Sequence, residues 1–80
     1  SYHEFEFMYE KENKLYHGII DLILETDLDL NIIDFKLKNI NDLAYKKQLL
    51  GYKEYLKTIS SKKINVYLYS ILDGTLLCID

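Results

Sequence analysis

The sequence predicts one small α/β domain: a mixed five-stranded sheet in the order βββαββ, with a single helix crossing over it. Three observations carry this. Residues 2–10 alternate in period two, with His3, Phe5, Phe7 and Tyr9 on one side and Tyr2, Glu4, Glu6, Met8 and Glu10 on the other, the mark of a half-buried strand. Tyr45, Leu49, Tyr52, Leu56 and Ile59 recur at steps of four and three, which aligns them on one helix face. The chain has 80 residues, enough for one domain over 1–80 and no more.

The elements follow in order. Lys11-Glu12-Asn13-Lys14 is a charged turn after the first strand. Leu15 to Glu25 reads as one long strand, because Ile19, Ile20, Leu22, Ile23 and Leu24 are almost continuous. Such a run predicts burial on both faces. Thr26 to Asn31 is a polar link, and Ile32 to Leu37 a third strand. Short links make these three an antiparallel meander. The helix follows, with Asn39 or Asn41 able to cap its orphan N–H groups and Ser60-Ser61 ending it. Ile64 to Leu72 is a fourth strand, Asp73-Gly74 a strong hairpin signal, and Thr75 to Ile79 a fifth strand. A helical crossover makes strands three and four parallel, in sheet order 1-2-3-4-5. One helix covers one sheet face, so the other face needs a cover, and self-association as a symmetric dimer is expected.

Composition excludes several classes. With 49% hydrophobic residues, eight Tyr and three Phe, the chain has the means to fold. A lone Cys78 makes neither an internal disulfide nor a cysteine-rich zinc site, and suits a reducing cytoplasm. No apolar run approaches the ~20 residues of a membrane span. Ser1-Tyr2-His3-Glu4 has neither the basic nor the apolar region of a signal peptide. The absence of an initiator Met predicts a truncated piece excised from a larger protein. The net charge of -3 hides an asymmetry: residues 1–34 carry nine acids and two lysines, while residues 35–63 carry eight lysines and two acids. The acidic total argues against a bulk electrostatic nucleic-acid binder. The basic middle is either a local phosphate-binding face or a solvated helix surface.

Two aspartates interrupt apolar strands: Asp21 in Gly18-Ile19-Ile20-Asp21-Leu22-Ile23, and Asp34 in Ile32-Ile33-Asp34-Phe35-Lys36. An ionised carboxylate buried without a partner costs several kcal/mol, on the order set by charge desolvation. Lys36 lies two residues after Asp34, on the same sheet face and ~6.5–7 Å along the strand. Two carboxylates and a lysine there suit Mg²⁺, a hard cation that takes one or two carboxylates plus waters and phosphate oxygens. A buried Asp–Lys ion pair is the plain structural alternative. Gln48 and Tyr52 stand four apart on one helix face. Tyr45, Tyr55, Tyr67 and Tyr69 are able to stack on single-stranded DNA bases, or equally to serve as strand and core residues.

In combination these motifs resemble the RecB-type nuclease domain of the PD-(D/E)XK superfamily, most of all the C-terminal nuclease domain of AddA-type helicase–nuclease subunits. The family's Gly-x-x-Asp strand resembles Gly18–Asp21, its Asp-x-Lys strand Asp34–Lys36, and its Gln-x-x-x-Tyr helix Gln48–Tyr52. The acidic-aromatic opening strand is similar to Tyr2–Phe7, with Glu4 as the matching acid. The likeness spans about residues 2–70 and implies a restriction-endonuclease-like fold. It also implies Mg²⁺ or Mn²⁺ held by Asp21, Asp34 and the Phe35 carbonyl, with Lys36 assisting the attacking water. Gln48 and Tyr52 would position DNA or brace the site. The implied activity is a deoxyribonuclease (exonuclease) working with a helicase domain of the same chain and a second nuclease/helicase subunit in double-strand-break repair. Two departures stand out. The family's helix before the first strand, which brings a His to the metal, has no counterpart, and neither His3 nor His17 matches it. Leu37 also replaces the frequent Thr after Asp-x-Lys. The missing helix predicts weak or no activity for this chain alone, and keeps open a nuclease-like module that only binds DNA or scaffolds a partner.

Overall fold

The structure, a computed structural model, describes residues 4–37 and 42–79. Its elements are β1 (Phe5–Lys11), β2 (Lys14–Ile20), β3 (Leu22–Glu25), β4 (Asp29–Lys36), α1 (Leu43–Ile59), β5 (Lys63–Ser70) and β6 (Leu76–Ile79). β1 and β2 pair antiparallel as a two-stranded sheet, and β3-β4-β5-β6 form a four-stranded sheet in that order. β4 and β5, on either side of the crossover helix, are parallel as expected, while β3–β4 and β5–β6 are antiparallel.

The expected single sheet of five strands needs correction. The long strand over Leu15–Glu25 is two strands, β2 and β3, broken at Asp21. The β3–β4 register pairs Leu22 with Ile33, and continuing it two places would set Ile20 opposite Phe35. Instead the Asp21 carboxylate accepts the Phe35 N–H at 2.9 Å. A side chain takes over the bond that a continuous ladder would give to backbone, and the hairpin is freed to lift away. Burial on both faces fails with it: Leu15, Tyr16, Ile19 and Leu24 are exposed.

The turns follow local chemistry. Glu12 and Asn13 both have positive φ, 53° and 64°, between the closing pair Lys11 and Lys14. That is the two-residue hairpin turn whose twist matches paired strands. β4 starts three residues earlier than expected because Thr26 Oγ1 accepts the Asp29 N–H at 2.9 Å and turns the chain there. At the other hairpin, Gly74 has φ of 69° and Asp73 Oδ1 accepts the Thr75 N–H.

The helix is capped by Asp42, whose Oδ1 accepts the Ala44 N–H at 2.7 Å. The alternative caps Asn39 and Asn41 lie outside the described residues, as do Tyr2 and His3 of the first strand. Ser60 ends the helix, donating its N–H to the Leu56 carbonyl at 3.0 Å. Leu49, Tyr52 and Leu56 face the sheet and pack with Ile32, Ile64, Val66 and Leu68. Each such aliphatic side chain, fully buried, is worth about 1.5–3 kcal/mol.

Aromatic rings join the hairpin to the helix. Phe7 stacks on Tyr55 at 5.0 Å between centroids and meets Tyr52 edge-on at 5.2 Å. Tyr9 stacks on Tyr55 at 5.2 Å. Gly18 makes this possible: a Cβ there would lie 2.4 Å from Phe7 Cζ, so any other residue would displace the ring. Tyr55 is thus placed in a stack of its own chain, and Tyr69 meets Phe35 edge-on at 5.9 Å on the face away from the helix. That far face carries Ile33, Phe35, Tyr67 and Tyr69, all half-buried.

Candidate functional site

The break at Asp21 opens a cleft of about 340 Å³ between the hairpin, β4 and the helix. His17, Ile19, Asp21, Asp34, Phe35, Lys36, Gln48 and Tyr52 line it. The three separate motifs, on two strands and a helix, therefore meet in one place. Glu4 does not: it is exposed, ahead of β1.

Strand alternation explains the floor. Ile32 and Asp34 are successive inward positions on β4 and both are buried, and Lys36 is the next. The parallel register sets Asp34 beside Leu68 and Ile32 beside Val66, so the carboxylate continues a row of aliphatic side chains under the helix. Lys36 Nζ stands 3.1 Å from Asp34 Oδ2 and 4.3 Å from the centre of the Tyr45 ring, a cation–π contact that keeps the ammonium at the cleft edge.

Burial, and then a hydrogen bond shared with the Asp21 carboxyl, push the Asp34 carboxyl up from its ordinary 3.8 to about 6, against the opposing pull of Lys36. Burial favours the uncharged form, and a second acid nearby favours it further. Asp21 is held by Phe35 N–H, so it is fixed at the point where the two strands part.

Tyr52 ties the helix to the same point. Its hydroxyl accepts the Ile19 N–H at 3.4 Å. Burial above all raises its pKa further above the ordinary 10.0, so it stays a neutral hydroxyl. Gln48, one helical turn earlier, is exposed at the cleft.

His17 is the lining residue that sequence reasoning set aside. Its Nε2 lies 3.1 Å from Glu6 Oε2 across the hairpin, in keeping with a register that sets Glu6 opposite Ile19 and Met8 opposite His17. The signal was available: positions 17, 19 and 21 alternate along one strand face toward Asp21. Among the described residues, no group of three or more His, Cys, Asp or Glu gathers in a way that could hold a metal. The cleft offers two carboxylates.

Also among the described residues, no helix is long and apolar enough to cross a membrane. No protein-family model matches the chain, and no solved structure matches it. Among curated proteins it is similar to an ATP-dependent helicase/nuclease subunit from Clostridioides difficile (strain 630), with 30% identity over 74 residues. That match takes in 80% of this chain but only 6% of the length of its relative.

Proposed function

We propose that the cleft is a metal-dependent nuclease centre of the RecB type within the PD-(D/E)XK superfamily, hydrolysing DNA phosphodiester bonds. In this reading the chain serves an ATP-dependent helicase–nuclease that processes double-strand ends. The observation that carries it is the pairing of Asp21 and Asp34 beside Lys36, at the foot of a helix that presents Gln48 and Tyr52 to the same cleft. The similarity to a helicase/nuclease protein supports it.

The donor set fits Mg²⁺ or Mn²⁺. Burial above all, and then the neighbouring Asp21 carboxyl, raise Asp34 to about 6, and a buried pair of acids is relieved by a hard divalent cation. Asp21, Asp34 and the Phe35 carbonyl would hold it. Once bound, the ion would neutralise charge on the scissile phosphate and ease deprotonation of its water. The chain's own residues do the rest. The Lys36 ammonium orients the attacking water and stabilises negative charge as it develops on the phosphate. Gln48 positions the DNA strand from the helix. Tyr52 holds Ile19, and through it the strand that delivers Asp21.

The test is cleavage of linear DNA in Mg²⁺ or Mn²⁺ by a longer chain that extends this one, and by its Asp34→Ala and Lys36→Ala variants. Each substitution should remove cleavage while leaving a folded chain by circular dichroism. Undiminished cleavage in either would defeat the reading. A second reading, a nuclease-like module that binds DNA or scaffolds a partner without cutting, is favoured by the cleft's having just two acids among the described residues. It predicts DNA binding with no cleavage by that longer chain under either metal.

A further inference from the structure

We infer that Tyr45 is a positioning residue: its ring seats the Lys36 ammonium for its work in the cleft, and does not itself touch DNA. The inference rests on the nuclease reading for what that ammonium does. It starts from a tyrosine that the sequence leaves open between base stacking and a place in the core. The ring is already taken. Lys36 Nζ stands 4.3 Å from its centre, at the distance of a cation–π contact. Lys36 lines the cleft, and Tyr45 does not.

Both partners are anchored at their backbones. Tyr45 is the third residue of α1, in a turn that Asp42 fixes. The Asp42 side chain accepts the Ala44 N–H, and its carbonyl accepts the Lys46 N–H. Leu49 and Tyr52 follow Tyr45 by four and seven positions on the same helix face. Both are buried, and Tyr45 packs against the core they belong to. Lys36 ends β4, where its carbonyl accepts the Ile71 N–H at 2.9 Å. From there a flexible four-carbon stem carries the ammonium, so the place of the charge depends on what holds its end.

Asp34 Oδ2, at 3.1 Å, and the Tyr45 ring hold that end. They differ in one respect. In the nuclease reading Asp34 is also a ligand for a divalent cation, so its charge is shared and its grip on Lys36 weakens. A further carboxylate in the place of Tyr45 would hold the ammonium but would also draw the cation. A neutral ring attracts the ammonium through its quadrupole, and adds no charge to the cleft. Tyr45 thus keeps Lys36 in place while Asp34 is engaged elsewhere.

The experiment has two arms, each comparing the wild type with Tyr45→Leu and Tyr45→Phe. Leu removes the ring and keeps apolar bulk for the core, and Phe keeps the ring without its hydroxyl. Circular dichroism checks folding, and Tyr45→Met replaces the Leu variant if that one does not fold. The first arm is NMR of this chain without metal or DNA. The ε-methylene protons of Lys36, beside the ammonium, should be moved upfield by the ring current in the wild type and the Phe variant, and should lose that shift in the Leu variant. Random-coil positions in the wild type would overturn the seat. The second arm is steady-state cleavage of linear DNA in Mg²⁺ by the longer chain. The Leu variant should lose about tenfold in kcat with KM within about twofold, the order set by a desolvated cation–π contact. The Phe variant should stay within about twofold of the wild type, because the π face is kept. An unchanged kcat in the folded Leu variant would overturn the inference. So would a rise in KM alone, which would make Tyr45 a stacking platform for bases. No cleavage by the longer wild-type chain refutes the nuclease reading alone, and the first arm still decides whether the ring seats the ammonium.

Discussion

Ile32 and Asp34 occupy successive inward positions on one strand, under one helix, and are equally hidden: 0% and 6% exposed. Their chemistry is opposite. Ile32 closes against Val66 and the helix as apolar matter, and its burial stabilises the fold. Asp34 is an acid in the same layer, raised to about 6 by that burial, and its ionisation at neutral pH works against the fold. The contrast shows where this small chain spends stability. Its helix–sheet layer is tight at one end, and at the other it holds two carboxyls and a lysine that a pure packing solution would have avoided.

The largest expected difference is at the apolar end. Ile32→Ala should lower unfolding stability by about 2–5 kcal/mol, since it removes a fully buried side chain and leaves a cavity. Urea denaturation checks it. A loss below 1 kcal/mol would mean that the two ends do not differ in packing as described.

Asp34→Asn sharpens the contrast through pH. The folded carboxyl titrates at about 6, above its ordinary 3.8. Between those values the folded chain binds more protons than the unfolded one, so this residue makes stability fall as pH rises through the window. At 1.36 kcal/mol per unit, the full contribution is about 3 kcal/mol. The Asn variant should therefore gain on the wild type by up to that amount between pH 4 and pH 7 in parallel denaturation curves. It also leaves Lys36 without its carboxylate, a cost that shifts the curves but not their pH dependence. Parallel profiles across the window would contradict the account of Asp34.

Tyr52→Phe is the mildest test. It keeps the ring against Phe7 and removes the acceptor for Ile19 N–H, so stability should fall by about 0.5–1.5 kcal/mol. Hydrogen exchange of the Ile19 amide should quicken. No change there would make Tyr52 a core residue with no part in holding the Asp21 strand.

Much of this was legible in the sequence, for reasons that particular residues make plain. The helix showed because Tyr45, Leu49, Tyr52 and Leu56 keep helical spacing against lysines. The β4–β5 parallel pair followed from the crossover. Asp21 and Asp34 stood out because an acid in an apolar run needs a reason. The break between β2 and β3 was hidden. It depends on the Asp21 carboxylate reaching Phe35 N–H fourteen residues away, and the flanking Ile19, Ile20, Leu22 and Ile23 look continuous whether the strand runs straight or parts. The role of Gly18 was equally hidden, because its small size matters through the Phe7 ring lying over it. His17 was passed over because its pairing with Glu6 depends on the hairpin register. Asp42 took the cap from Asn39 and Asn41 as a nearby residue of the same capping class.

The central claim is that the polar end of this layer exists to hold a divalent cation between Asp21 and Asp34. Calorimetric titration of Mn²⁺ into the wild-type chain, with and without a DNA oligonucleotide, tests it most directly. The account predicts one binding site that Asp34→Asn and Asp21→Asn each remove. No binding with DNA present, or equal binding in those variants, would contradict it.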